Sequence, residues 1–456
     1  MTSRQKIAAG LLLIVMIAVG AIVGYRRWRS SSVAPIPPTR IAERNPADAA
    51  TPRRQAVEDW PRWLGPRGDG VSREEDIADA WPQGGPHRVW SAEVGLGYAS
   101  PIAVDHRVYL FSYHNGQEAL TAFDAHTGRI VWNSEAGAGW SGSHPGTRAT
   151  PVVEGQRVYT FGGGGDLICR DLVGGSIVWQ VNILTATGSR NLRWGLASTP
   201  LLSNGLIYVQ GGSEGPTCVA VRATDGAIAW QSEARTVAGY AHPIFVNAGE
   251  RRQLIVFAGD WLYGMDAASG KTRWAERWPT KEQVNSAPPV YGDGYLFVTS
   301  AEGHGSKILR LTAQGATTVW SSREIQCYFQ PPLLEGGRLY LNDEGALTCL
   351  AFPGGQTLWA VKNPGPRLGF GGSFVRIGGD RMIVLSARGK LALIRTSATG
   401  VERLAESQAI EGTEIYATPL VYGGRLYIKG MQELVCFDLA DQAAGNPAAT
   451  DPAAGH

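Results

Sequence analysis

The chain has 456 residues, of which 44% are hydrophobic and 18% charged, with 59 Gly, 26 Pro and 15 Trp. This composition excludes a disordered chain, which needs low hydrophobicity and high net charge, and five Cys are too few for a disulfide scaffold. The net charge of +2 is uneven, with nine basic and four acidic residues in residues 1–60; the remainder is slightly acidic, which argues against nucleic-acid binding.

Ile7 to Val23 is a run of 17 residues without a charge, flanked by Arg4 and Lys6 before and Arg26, Arg27 and Arg29 after. A run of that length is at the short end of what spans a bilayer. A cleaved signal peptide is the competing reading. No small-x-small site ends the run, the nearest candidate (Ser32-Val33-Ala34) precedes Pro35, and no Cys stands nearby to take a lipid. The expectation is an uncleaved signal anchor over residues 1–29, a single transmembrane helix. Positive charge on both sides orients it only weakly. Residues 30–58, rich in Ser, Pro, Ala and Arg, read as a flexible linker, 59–84 as a lead-in, and 440–456 as a disordered tail.

From residue 85 one pattern recurs: a small residue two before a Pro, a short apolar stretch, a Gly/Asp turn, an Arg-Val-Tyr-like strand, a second strand, then Gly and Trp. The positions equivalent to the Pro are Pro101, Pro151, Pro200, Pro243, Pro289, Pro332, Val375 and Pro419, spaced 50, 49, 43, 46, 43, 43 and 44 residues apart. Repeats of roughly 40–50 residues with about four strands each, alternating with period 2, predict a β-propeller. The eighth repeat lacks its last strand. His87-Arg88-Val89-Trp90 has the sequence of such a strand, and Trp90 precedes Trp132 by about one period. The fold expected is therefore all-β, an eight-bladed propeller of four-stranded blades over 85–439, closed by an N-terminal strand and preceded by one transmembrane helix.

Trp90, Trp132, Trp179, Trp230, Trp274, Trp320 and Trp359 share one repeat position and are expected to pack blade against blade. Cys169, Cys349 and Cys436 also share a position, with Cys218 two residues off it, and read as small buried spacers; Cys327, between blades, is a candidate free thiol. Gly137-Ala-Gly139-Trp-Ser-Gly142 matches a dinucleotide-binding fingerprint literally, but no helix follows it and it reads as a loop. No His, His304 included, has metal-ligand spacing. The residue three before each Pro position should ring one mouth of the channel: Tyr98, Arg148, Ala197, Tyr240, Ser286, Phe329, Gly372 and Tyr416. Trp140 and Trp194 lie in loops that should join that mouth. Aromatics and Arg dominate recognition surfaces, so Tyr98, Arg148, Trp194, Tyr240, Phe329 and Tyr416 are the candidate ligand- or partner-binding residues.

The repeat resembles the pyrroloquinoline-quinone (PQQ) type, with its Asp-x-x-Thr-Gly-x-x-x-Trp pattern, best kept at Asp124 to Trp132 and Asp266 to Trp274; the lead-in from Trp60-Pro-Arg-Trp63 to Ser72 is also similar to that of bacterial PQQ-like propellers. The resemblance implies two functions. Quinoprotein alcohol dehydrogenases hold PQQ and calcium over the channel, with an Asp base and usually a disulfide between adjacent Cys. The propeller lipoprotein of outer-membrane protein assembly binds partner proteins and no cofactor. Adjacent Cys and a haem attachment motif are both missing here, which favours a non-catalytic scaffold or ligand-binding module without cofactor, catalytic residue or metal. The expectation is an inner-membrane, single-pass protein with the propeller on the periplasmic side and a protein partner in the cell envelope. The alternative is a PQQ- and calcium-dependent alcohol or sugar dehydrogenase. A carbohydrate-binding propeller is a third reading, although no carboxylate pair suits hydrolysis.

Overall fold

A computed structural model of the protein describes residues 57–440, apart from Asp76, Gly365, Pro366 and Thr413. The expected anchor, most of the linker and the tail lie outside the described residues. Among those described, no helix is long and apolar enough to cross a membrane.

Eight antiparallel sheets follow one another in chain order, each built from its innermost strand outward, from blade 1 (Ile102–Val104 to Ile130–Ala138) to blade 8, which begins at Leu420–Tyr422. Blade 8 supplies three strands of its own, and His87–Glu93 pairs antiparallel with Glu433–Asp438 to complete it. The N-terminal strand thus closes the ring as the phase of Trp90 predicts, so no blade is left at an open end of the array.

The Asp-x-x-Thr-Gly motif forms the turn between the third and fourth strands. Asp124 Oδ1 accepts hydrogen bonds from the His126 and Thr127 amides and the Thr127 hydroxyl at 2.7–3.1 Å, and Gly128 takes the left-handed conformation (φ 71°) that completes the turn. Its bare Cα is also what the preceding blade's indole needs. A Cβ at Gly128 would come within 2.5 Å of Trp90, and Gly175, Gly226, Gly270 and Gly355 receive Trp132, Trp179, Trp230 and Trp320 in the same way. Each Trp lies opposite a residue of the third strand: Ala122, Cys169, Ala220, Gly264, Ile308, Cys349 or Cys436. Mostly small residues leave room for the indole, which accounts for three of the cysteines as spacers. All five cysteines, Cys327 included, are buried and unpaired.

Blade 7 departs from the four-stranded pattern. Val71–Ser72 pairs parallel with Arg376–Ile377 of its innermost strand, making a fifth. This is the one blade with Val375 where the others have Pro. The Arg376 amide donates to the Gly70 carbonyl at 3.0 Å.

Candidate functional site

The innermost strands start at one end of the ring, and there the structure forms a cup of about 520 Å³. Tyr98, Arg148, Trp194, Tyr240, Phe329 and Tyr416 all line it, together with Ala197 and Ser286. Seven of the eight positions read as the mouth ring thus converge. Gly372, the eighth, contributes no wall, and Trp140 packs behind Arg148 rather than lining the cup.

Two residues further along each of these segments, the ring is laced by hydrogen bonds between neighbouring blades. The Thr418 amide donates to Ser100 Oγ (2.9 Å), the Ser100 amide to Thr150 Oγ1 (3.2 Å), and the Thr150 amide to Thr199 Oγ1 (3.0 Å). His242 Nδ1 is 2.7 Å from the Thr199 carbonyl, which can only accept, so this nitrogen carries the proton. Burial, with Arg62 nearby, lowers the His242 pKa to about 4, leaving a neutral ring. The floor is Trp63 of the lead-in, whose Nε1 donates to Thr418 Oγ1 at 3.1 Å and whose ring meets His242 edge to face at 6.1 Å. The lead-in reaches this point from the far end of the channel, where Trp60 bridges Ala103 and the Val153 amide donates to the Pro61 carbonyl.

Aromatic rings stack along the wall. Tyr416 lies between Tyr98 and Phe329, 5.5 Å from each with interplanar angles of 24° and 28°, and Tyr328 and Phe370 continue the row outward at 5.3 and 4.8 Å. Blade 7 would interrupt this row, but Gly371 leaves its place empty, and a Cβ there would overlap the Tyr416 ring. Trp194 meets Tyr240 edge to face on the opposite wall. Phe370, 55% exposed, is the most solvent-accessible ring of the row.

Arg148 is a half-buried charge in the wall of the cup. Its guanidinium donates to the carbonyls of Gly146 (2.6 Å), His144 (2.6 Å) and Ser143 (3.4 Å), and it lies 5.8 Å from the Tyr98 ring and 5.9 Å from that of Trp140. Gly137 and Ala138, expected as part of a loop, instead finish the strand Ile130–Ala138, while residues 139–147 form a loop whose carbonyls cradle this side chain. Burial lowers the Arg148 pKa to about 10, so it remains charged at neutral pH. The other charges stand on the rim: Arg193 pairs with Glu282, Glu414 accepts from Tyr98 (3.5 Å) and lies 3.7 Å from His144 Nε2, Tyr328 donates to Glu302 (3.4 Å), and Lys281 is exposed to solvent.

Trp63, Tyr328 and Phe370 are site residues that the repeat spacing does not reveal, whereas His242 directly precedes Pro243 and so shares the repeat position of Ser100, Thr150, Thr199 and Thr418. The Trp60-to-Trp63 motif and the aromatic pair Tyr328-Phe329 were the available signals. Among the described residues, no group of three or more His, Cys, Asp or Glu is placed to hold a metal ion.

An eight-bladed ring with docked tryptophans and a central cup defines a PQQ-like β-propeller. Within that class the chain belongs to the family described as outer membrane protein assembly factor BamB, whose model matches residues 85–249, 119–286 and 258–452. The BamB of Yersinia pestis is 24% identical over 319 residues, 63% of this chain and 75% of that protein. The BamB of Alkalilimnicola ehrlichii is 26% identical over 206 residues, 44% of this chain and half of its own length. Among solved structures, BamB from Moraxella catarrhalis (17% identity, TM-score 0.56, 77% of this chain and 97% of that one) and quinohemoprotein alcohol dehydrogenase from Comamonas testosteroni (14%, 0.60, 83% and 80%) share the fold.

Proposed function

We propose that the protein is a non-catalytic scaffold of envelope protein assembly, held at the inner membrane by residues 1–29 with the propeller in the periplasm, and that the cup and its rim receive a segment of a partner protein. Family membership and the names of the relatives support the setting. The observation that carries the reading is the aromatic row with Arg148 beside its Tyr98 end, since large rings and arginine supply most of the energy in recognition surfaces. A rigid ring presents them preorganised, which lowers the entropy cost of binding.

The donor set speaks against the alternative of a PQQ- and calcium-dependent dehydrogenase. The acidic side chains at the cup are the rim residues Glu282, Glu302 and Glu414, each engaged by a neighbour, and the indole of Trp63 takes the floor. These residues do not fit a calcium-bound quinone.

A photo-crosslinking residue at Phe370 in the full chain, expressed in its native host, tests the reading, with a probe at Asp225 on the opposite end as control. Envelope-assembly proteins should be captured from Phe370, not from Asp225, and capture should fall with Tyr416→Ala. Equal capture from both ends, or saturable PQQ binding with calcium and dye-linked alcohol oxidation, would overturn it.

A further inference from the structure

We propose that the cup is a receptor for an aromatic carboxylate: a ring that enters between the aromatic walls and a carboxylate that meets Arg148. The inference deepens the reading of the mouth as a binding surface and rests on it.

Three features of the cup select this chemistry. The first is a charge with no ion-pair partner among the described residues. Arg148 is held by three carbonyls, which fix its orientation but carry no net charge, and the buried carboxyl of Glu118 acts on it electrostatically without a hydrogen bond or ion pair. The three carboxylates of the rim are turned to Arg193, Tyr98 and Tyr328 instead. A guanidinium already fixed among carbonyls and two rings loses little entropy when it binds an anion, and a charged hydrogen bond is worth roughly twice a neutral one.

The second is the direction in which the rings face. Tyr98, Tyr416 and Phe329 are stacked on one another around the wall. A stack running around a ring turns its faces toward its neighbours and its edges toward the axis. Aromatic edges are the positive part of the ring quadrupole, so they favour the face of an entering aromatic ring or an anionic group over a cation.

The third is the floor. His242 is neutral and Trp63 is an indole, so among the described residues the floor adds no charge to that of Arg148 on the wall. The volume of about 520 Å³ falls within the range of small-ligand sites, roughly 300–1,000 Å³.

Such a ligand has two sources, a free aromatic acid or the carboxyl-terminal aromatic residue of a polypeptide. Calorimetric titration of the detergent-solubilised full chain distinguishes them. The probes are N-acetylphenylalanine and its amide, N-acetylalanine, and a hexapeptide ending in phenylalanine with a free or an amidated carboxyl. The acids should bind at least about tenfold tighter than their amides, N-acetylalanine should bind weakly, and Arg148→Gln should remove the preference for acid. A hexapeptide acid tighter than N-acetylphenylalanine assigns the ligand to a chain terminus; equal affinities assign it to a free acid. The comparison of acid with amide is made on the unmutated protein, so it stands even where Arg148→Gln perturbs its loop. Equal binding of acid and amide, or binding of neither at millimolar concentration, overturns the proposal. Crosslinking from Phe370 can succeed in either case, so failure here is separable from failure of the scaffold reading.

Discussion

Alanine at Gly371 should expel the Tyr416 ring from its stack. The three atoms nearest a Cβ built at this position all belong to that ring, and the backbone there is not in the left-handed region, so the conflict is with one side chain alone. A displaced ring loses its contacts with Tyr98 and Phe329, each 5.5 Å away. At about 0.5–1.5 kcal/mol per aromatic pair, the loss is about 1–3 kcal/mol. Against it stands the smaller entropy of the unfolded chain, worth about 0.4–1 kcal/mol in favour of alanine. The net effect expected of Gly371→Ala is destabilisation by about 1–2 kcal/mol. In a Tyr416→Ala background the obstacle is gone, and the same substitution should be neutral or slightly stabilising. Urea unfolding of the wild type, both single variants and the double variant, followed by tryptophan fluorescence, completes the cycle, with an expected coupling of about 1–3 kcal/mol. An equal cost in both backgrounds would refute the argument and make Gly371 a requirement of the backbone.

Trp90→Ala should cost about 3–5 kcal/mol, as for other large-to-small core changes, and hydrogen exchange should accelerate most along 87–93 and 433–438, where the ring closes; uniform acceleration would deny the closure strand its special place. Glu118, 1% exposed, has its pKa raised by burial from 4.5 to about 7. Between those values the folded carboxyl keeps a proton that the unfolded one releases, so this group's contribution to stability falls as pH climbs from about 4.5 to 7 and is level above. Glu118→Gln should therefore lose less stability than wild type between pH 5 and 8 in urea titrations, and identical losses would refute the assignment. Native protein should be inert to an aromatic disulfide reagent at pH 8, because burial raises the thiols, Cys218 and Cys436 to about 12; five equivalents should react once it is unfolded, and fast labelling of Cys327 in the native state would show an opening of its loop.

The repeat made the mouth legible. Because Pro marks the same height on most innermost strands, three residues back from it marks one ring, and seven of those eight positions line the cup. The hydroxyl lacing was also present in the sequence, as Ser100, Thr150, Thr199 and Thr418 directly before their prolines, and needed only the recognition that adjacent blades bring these residues together. Other features had no periodic signal. The row from Tyr416 to Phe329 skips a blade, and it can do so only because Gly371 is bare. The place of Trp63 depends on the path of the lead-in, fixed by pairing of Val71 with Arg376 across some 300 residues, and such non-local pairing leaves no mark in a local pattern.

That path gives the lead-in a second task beside closure. Thr418 opens blade 8 and His242 opens blade 4, which face each other across an eight-membered ring. By touching both, Trp63 spans the channel like a spoke and shuts the cup from the other end. The low pKa of His242 is a consequence of this enclosure, since burial is its largest cause. Trp63→Ala should admit water beneath the cup and raise the His242 pKa from about 4 toward its ordinary 6.5, while the closure strand and the mouth ring remain in place. Imidazole resonances followed by NMR between pH 3 and 8 read the shift directly. A His242 pKa unmoved by the substitution would mean that Arg62 and the surrounding blades, rather than the indole, hold the imidazole neutral, and that the floor is not set by the lead-in.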